Sequence, residues 1–441
     1  MKQLLLDTHD ELIVDLFAGG GGASSGIEIA TGRMVDIAIN HNATAVDLHM
    51  ANHPTTRHFQ SDVFEVDPIA VTQGRPVGFL WASPDCTFHS KARGAKPIRH
   101  ATKKRRALAW VVTRWAATAF PRVIMLENVE EFAHWGPLVG NPDELRPCKK
   151  RRGQSFRKWV RSLVRLGYTV EWRELRACDY GAPTIRKRFF LIARRDGKPI
   201  VWPEPTHGPG LKPYRTAAEC IDWTLPMCSV FATKAEAIEW AHAHGQKPPL
   251  RPLAENTMRR IARGLERFVL KNPEPFLVMI AHSDGTDRIL GTNKPLNTIQ
   301  GLTAVHIQRD FSTSVGHRAD QPLATVTCEG GGKAAIVASF LRPGKPLNTI
   351  PTHDRFGFVA VEIAGQAYDI VDIAMRMLHP TELYRAQGFP SCYIIDRGAS
   401  GKAITKSEQV RMCGNSVCPP IVAALVRANC PELSVSRRRS A

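Results

Sequence analysis

The chain has 441 residues, 59 Lys+Arg against 41 Asp+Glu, and a formal net charge of +18. With 43% hydrophobic and 23% charged residues, it has the composition of a globular protein and not of a disordered one. No apolar run reaches the ~18–20 residues that span a bilayer. The opening stretch carries Asp and Glu among its apolar residues, so no signal peptide is expected and the cytoplasm is. The basic excess favours a polyanionic partner, most simply a nucleic acid. The ten cysteines are scattered, with no Cys-x-x-Cys pair and no Cys/His cluster at zinc spacing. No metal site is expected, and most of these thiols read as small buried hydrophobes in a reducing cytosol.

From residue 12 to 195 short apolar strands alternate with helical text. Ile13–Phe17 is a strand that runs into four glycines, Gly19 to Gly22, and then into the helical pattern Ala23–Ala30. Further strands are expected at Met34–Ile39, Gly78–Ala82, Val123–Glu127 and Phe189–Ala193, with helices at Lys103–Ala119 and Ser155–Leu166. This alternation predicts an α/β fold with a doubly wound, mostly parallel sheet. A Pro- and Gly-rich stretch over about 196–230 marks a change of domain. Beyond it, Lys294–Ile299, Gln321–Val326 and Lys345–Ile350 form a loose Pro-Leu-x-Thr repeat, which predicts strands of a smaller β-rich module. Helical text returns over 371–430, and Ser436–Ala441 reads as a basic tail.

Three strings carry chemistry. The Gly-rich turn after the first strand, Asp15 to Gly22, suits a ligand approaching backbone at a helix N-terminus. Cys86 stands in the loop Ser83-Pro84-Asp85-Cys86-Thr87 after an apolar strand, the edge where parallel sheets place ligands. A thiolate there is either a nucleophile or a structural thiol. Glu127-Asn128-Val129 ends another apolar strand, and Glu127 is either a general acid or a helix cap. One chemistry uses both groups. A thiolate adds to C6 of cytosine while an acid serves N3, and C5 becomes nucleophilic enough to accept a methyl group.

With these strings on the page, the sequence resembles the DNA cytosine-5 methyltransferases, motif by motif and in order over nearly the whole chain. The stretch from Asp15 to Gly22 resembles their S-adenosylmethionine motif, and Ser83–Thr87 their Pro-Cys loop. Glu127–Val129 matches their Glu-Asn-Val, and Thr184–Arg188 resembles their Gln-x-Arg-x-Arg. Pro380–Pro390 is similar to the helix before their Gly-Phe-Pro, and Gly414–Val417 to their closing motif. The resemblance implies Cys86 as nucleophile, Glu127 on N3 and the exocyclic amine, and Asn128 as support for the cysteine loop. It implies Arg186 and Arg188 against the extruded base and its phosphate. For the cofactor, S-adenosyl-L-methionine, it implies Asp15, Phe17, Gly19, Gly21, Asn40, Pro84, Asn415 and Ser416. Asp62 is either an adenine contact or a cap.

Three departures stand in this site: Asp85 replaces the family's Pro, Asn40 its ribose-binding Glu, and Thr184 its Gln. A carboxylate at 85 should raise the Cys86 pKa unless Arg186 or Arg188 offsets it. Ser90, Lys91, Arg93 and Lys96 follow the cysteine, where the family has a loop that closes over DNA, and Lys103, Lys104 and Arg105 lead into a helix with Arg106. These cations are either phosphate contacts or a solvated face, as are Lys149–Arg152. The expected organisation is a catalytic domain over 1–225, a target-recognition domain over 226–375, a returning segment over 376–435 and a tail over 436–441. The partner is duplex DNA, with no membrane, for a monomer in a bacterial or phage-infected cytoplasm, working alone or beside a separate restriction endonuclease. The alternatives are a DNA-binding protein with weakened catalysis, an RNA substrate, or a modified methyl donor.

Overall fold

The computed structural model describes residues 11–90, 97–98, 100–142, 144–272, 277–279, 288–290, 302–310, 314–326, 333–343, 360–363 and 366–434. They fall into two units, 1–214 with 384–441, and 215–383.

The first unit is built on a seven-stranded sheet. Its strands are β1 (Leu12–Leu16), β2 (Ile37–Asn40), β3 (Arg57–Gln60), β4 (Val77–Ala82), β5 (Val123–Asn128), β6 (Thr169–Arg176) and β7 (Lys187–Arg194). Their order is β3-β2-β1-β4-β5-β7-β6. The first five run parallel, whereas β7 pairs antiparallel with both β5 and β6. Helices α1 (Gly22–Thr31), α2 (Ala43–Asn52), α3 (Pro68–Thr72), α4 (Ala109–Thr118) and α5 (Gln154–Arg165) connect them. The expected doubly wound α/β fold is present; the central strands β1, β4 and β5 are fully buried because both faces are covered, whereas the edge strands β3 and β6 are polar and largely exposed. Leu12, Val14, Leu16, Leu80, Ile124 and Leu126 pack with α4 and α5 on one side. Their neighbours Ile13, Phe79, Trp81, Val123 and Met125 pack with α1 and the C-terminal helix on the other. That is the two-residue alternation of a pleated strand, buried twice.

Four elements differ from the sequence expectation, one of them residues 371–377, which read as helical text but lie in the strand Gln366–Met377 because they pair antiparallel with Lys333–Pro343. The second strand starts at Ile37 and not Met34, because Asp36 turns the chain there. Its Oδ2 accepts from the Ile13 amide at 2.7 Å and from Arg33 at 2.8 Å. The helix expected over Lys103–Ala119 is a 3₁₀ stretch, His100–Ala107, followed by α4. Four consecutive cations repel one another there, and Arg106 turns inward. The middle copy of the repeat, Gln321–Val326, belongs to no strand although Leu323 and Val326 are buried. Pro322 lacks the amide that a ladder needs. The other two copies and the loop Glu329–Gly332 lie outside the described residues, as does the tail 436–441.

The second unit is β-rich. Among the described residues its strands are β8 (Cys228–Ser229), β9 (Leu277–Met279), β10 (Arg288–Leu290), β11 (Leu302–Asp310), β12 (His317–Arg318), β13 (Lys333–Pro343), β14 (Ala360–Ile363) and β15 (Gln366–Met377). They form an antiparallel sheet in the order β8-β15-β13-β11-β9-β10, with β12 on β11 and β14 on β15. Helix α6 (Lys234–Ala243) precedes α7 (Glu255–Leu265), whose Ile261 and Leu265 pack on Ala304, Val337 and Leu341. After it come α8 (Pro380–Gln387), α9 (Lys406–Asn415) and α10 (Pro419–Asn429). The last two belong to the first unit. Helix α10 lies against α1, where a Cβ on Gly26 would stand 2.7 Å from the Pro419 carbonyl oxygen. Among the described residues no helix is long and apolar enough to cross a membrane.

Candidate active site

The Gly-rich turn and the C-terminal segment build one cavity. Strand β1 is fully buried and ends where Phe17 adopts a left-handed φ of 65° and Gly21 one of 77°, so the chain reverses into α1. Gly20 and Gly22 are needed for packing. A Cβ on Gly22 would lie 2.2 Å from the Val417 carbonyl oxygen, and one on Gly20 2.8 Å from Ser416 Oγ. Gly19 differs, since a Cβ there would meet only the Phe17 carbonyl oxygen, at 3.8 Å. The resulting cavity measures about 260 Å³ including its solvent-open mouth. Asp15, Phe17, Gly19, Gly21, Ser83, Asn415 and Ser416 are among its walls. Asp15 Oδ1 and Ser416 Oγ are buried there without a hydrogen-bond partner among the described residues. A cation beside the one and a donor beside the other would complete them.

Beneath Asp15 lies a polar chain that the sequence did not announce. Ser24 Oγ donates to Asp15 Oδ2 at 2.7 Å, and His49 Nε2 lies 2.9 Å from the same Oγ. With the Ser24 proton committed to an ionised Asp15, His49 must donate through Nε2 and accept at Nδ1 from His58, 2.8 Å away. Burial pushes the Asp15 carboxyl up to about 7, against the Ser24 hydrogen bonds that lower it. Burial first, then His53 and His58, hold His49 well below the ordinary imidazole range. The remaining wall contact comes from Tyr393, whose hydroxyl donates to the Gly20 carbonyl at 3.0 Å.

The cysteine loop follows β4. Asp85 Oδ1 accepts from the Thr87 amide at 2.7 Å, and the His89 and Ser90 amides return to the Cys86 carbonyl at 2.9 and 3.0 Å. Asn128 Nδ2 donates to the Pro84 carbonyl at 2.9 Å, tying the end of β5 to this loop. Arg106, read with its neighbours as a phosphate contact or a solvated cation, is instead buried and donates to the Phe88 and Gly136 carbonyls. Lys104 and Arg105 are exposed on the same 3₁₀ stretch, to which Lys103 also belongs. Lys91, Arg93 and Lys96 lie outside the described residues.

Strands β5 and β7 bring the charges to the thiol. Glu127 and Arg186 are buried, and Arg188 Nε stands 3.4 Å from Glu127 Oε1. Burial is the main cause that pushes the Cys86 thiol up to about 12. Glu127 and Asp85 raise it further, while Arg188 and Arg186 pull it down. The Glu127 carboxyl is itself raised by burial, against Arg188, Arg186 and a Ser83 hydrogen bond. Burial, reinforced by Arg186, brings Arg188 down to about 10. Thr184 Oγ1 accepts from the Arg186 amide at 3.3 Å, so the residue replacing Gln shapes the turn. Gln387 supports the far side, donating to the Cys413 carbonyl at 3.0 Å and accepting from Cys418 Sγ at 2.8 Å.

Three expected cofactor residues, Asn40, Asp62 and Pro84, are not among the cavity walls. Asn40 ends β2 with its Oδ1 on the Asn42 amide at 2.8 Å. Asp62 is exposed after β3, and its Oδ1 accepts from the Phe64 amide at 3.0 Å within a turn; no helix starts there, so the cap reading is not met, and α3 is capped by Asp67 instead. Pro84 is buried and serves through its carbonyl. Ser83 and Gln387 stood inside quoted strings without a role, and Arg106 was read only with its basic neighbours, whereas Ser24 and Tyr393 were missed because each reaches the site through packing that no local pattern encodes.

A parallel sheet reversed at one edge, with a Gly-rich turn walling a cavity at its carboxyl ends, defines a Rossmann-like methyltransferase fold. The model of the C-5 cytosine-specific DNA methylase family matches residues 12–219 and 298–429, and the chain belongs to that family. The family uses S-adenosylmethionine as methyl donor, and the polar atoms of the cavity suit its amino-acid end. Among curated relatives, Type II methyltransferase M.AquIA of Picosynechococcus is 25% identical over 49% of this chain and 90% of its own length. Type II methyltransferase M.Sau3AI of Staphylococcus aureus is 28% identical over 41% of this chain and 42% of its own. For several of these relatives the match thus spans about half of their length. Among solved structures, an Escherichia coli prophage-encoded protein superposes with a TM-score of 0.52 at 16% identity, covering 94% of this chain and 97% of its own. Dnmt2 methyltransferase of S. pombe gives 0.50 at 15% identity, covering 95% and 97%.

Proposed function

We propose that the protein methylates C5 of a cytosine extruded from duplex DNA, through a covalent bond between Cys86 Sγ and C6. The observation that carries this reading is the convergence of Cys86, Glu127, Arg186 and Arg188 at adjoining strand ends beside the Gly-rich turn. Cys86 as thiolate adds to C6. Glu127, whose carboxyl burial raises, donates a proton to N3 as the ring takes up the electron pair. Bound S-adenosylmethionine supplies the methyl group. The transfer to C5 would release S-adenosylhomocysteine; loss of the C5 proton to a base then expels Cys86 as thiolate, and N3 returns its proton to Glu127. Arg186 and Arg188 favour the thiolate and the charge passing through the ring. Asp15 suits the ammonium of the cofactor, Phe17 its base and Ser416 its carboxylate, with Asn40 and Asp62 assigned to the ribose and adenine.

The β-rich unit is assigned to target recognition. The Type II names of the relatives favour a modification enzyme; we take it to be free-standing and monomeric, working alone or beside a separate restriction endonuclease. Mass spectrometry of nucleosides from DNA of cells expressing the protein, beside a Cys86→Ala control, tests the reaction. A Cys86-dependent 5-methyldeoxycytidine peak is expected. A different added mass keeps the cysteine chemistry but overturns the donor. No modified cytosine, from folded protein that binds DNA, overturns the enzymatic reading.

A further inference from the structure

The run 145–170 contains no Asp or Glu, yet it carries a dense set of exposed cations. Lys149, Lys150, Arg151 and Arg152 form a 3₁₀ turn and its end. Arg157, Lys158, Arg161 and Arg165 follow on the outer face of α5, whose inner face buries Phe156, Trp159 and Leu163. Among the described residues none of these eight forms an ion pair with a carboxylate. Elsewhere the protein does pair its cations: Arg122 meets Glu11, Asp196 and Glu432, and Lys187 meets Glu130 and Glu174. The carboxylates of neighbouring β6 are engaged, Glu171 with Trp202 and Glu174 with Lys187. Like charges at i, i+4 spacing, as at 157, 161 and 165, disfavour a helix, so the arrangement opposes local stability.

The strip also has a direction. Its first turn is fixed beside the cysteine loop: the Gly153 and Phe156 amides bond the His134 and Trp135 carbonyls, and Trp135 packs against His89. From there α5 carries the charges away for about 12 Å between 157 and 165, the axial length over which a duplex holds about seven phosphates. The exposed face of α5 bears no aromatic residue on which an unpaired base could stack.

We propose that this strip is a second contact for duplex DNA, engaging backbone phosphates that flank the target without reading sequence. The inference rests on the proposed function for its partner, and its test is separate. Binding of the full chain and of R157Q/K158Q/R161Q/R165Q to duplexes of ~12 and ~40 base pairs is measured by fluorescence anisotropy at several salt concentrations. Each lost phosphate contact flattens log K against log salt by about 0.9, so a flattening of about 2–4 is expected on the long duplex and under about 1 on the short one. Unchanged slopes on both lengths overturn the proposal. An equal loss on both places the strip within the target contact and also overturns it, as does a strip-dependent preference for structured RNA. Should that variant melt early, K149Q/K150Q/R151Q tests the same strip outside the helix. Cys86-dependent methylation of a short duplex is expected to survive the substitutions. Its absence in the parent protein would instead count against the proposed function.

Discussion

At the scale of single residues the thiol sets the central problem. A Cys86 pushed up to about 12 is almost wholly protonated at neutral pH, and burial accounts for most of that. Asp85 adds to it, while its Oδ1 also holds the Thr87 amide. Asp85→Asn removes the charge and keeps the acceptor. Alkylation of Cys86 by iodoacetamide at fixed pH should therefore quicken severalfold in Asp85→Asn, with the pH-rate curve displaced downward. An unchanged curve would mean that Arg186 and Arg188 already neutralise the carboxylate. Asp15 offers a second reading at this scale. Its carboxyl, raised to about 7, ionises across the physiological range, and only the ionised form attracts the cofactor's ammonium. Cofactor affinity should rise as pH increases from 6 to 8. Asp15→Asn should weaken it about tenfold or more and abolish that dependence, since a charge-assisted hydrogen bond is worth about 1.5–3 kcal/mol. Isothermal titration calorimetry at three pH values would decide.

Among elements, the α1–α10 contact shows packing overriding propensity. Gly26 lies inside a helix, where Ala is better by about 1 kcal/mol on propensity alone. Yet a Cβ there would stand 2.5 Å from Val422 Cβ and 2.7 Å from the Pro419 carbonyl oxygen, and the backbone oxygen cannot rotate away. Overpacking of this kind costs about 1–3 kcal/mol. Gly26→Ala should thus destabilise the first unit, read as a lower chemical-denaturation midpoint. At Gly32 the space is open but φ is 73°, so Ala there should cost only about 1–2 kcal/mol, from backbone strain. The 3₁₀ stretch before α4 makes the complementary point. One of its cations, Arg106, is drawn to carbonyls beneath the cysteine loop, while Lys104 and Arg105 stay in solvent.

Across the molecule, buried histidines and buried carboxylates pull stability in opposite directions with pH. In the second unit His306 and His317 are brought down to about 4, by burial first and then by His317 and Arg309 respectively. Their unfolded counterparts take up protons near 6.5. The stability they confer is therefore present above 6.5 and lost as pH falls toward 4. In the first unit His49, His58 and His89 act in the same sense. There, however, Asp15 favours folding more as pH falls through 7, and Glu127, raised by burial, acts in the same sense. The second unit should consequently soften first between pH 6.5 and 4. Hydrogen exchange resolved by peptide should show β11 and β13 losing protection before β1 and β4. Simultaneous loss in both units would contradict this.

The class of fold, the Gly-rich turn, Cys86 and Glu127-Asn128 were legible in the chain itself. Each depends on local order: apolar strands buried on both faces, glycines before a helix, a reactive group just past a strand end. Beyond the Asn128 support of the cysteine loop and the arginines that the resemblance implied, what the sequence did not supply was the relations between distant segments. That Ser24 turns to Asp15, that His49 and His58 continue that line, and that Arg106 abandons its basic neighbours all depend on which faces meet. The reversal of β7 between β5 and β6 belongs with them, and it is this reversal that delivers Arg188 to Glu127. Local patterning encodes which side of an element is apolar, whereas packing alone decides which polar atoms are left inside and what they must bond.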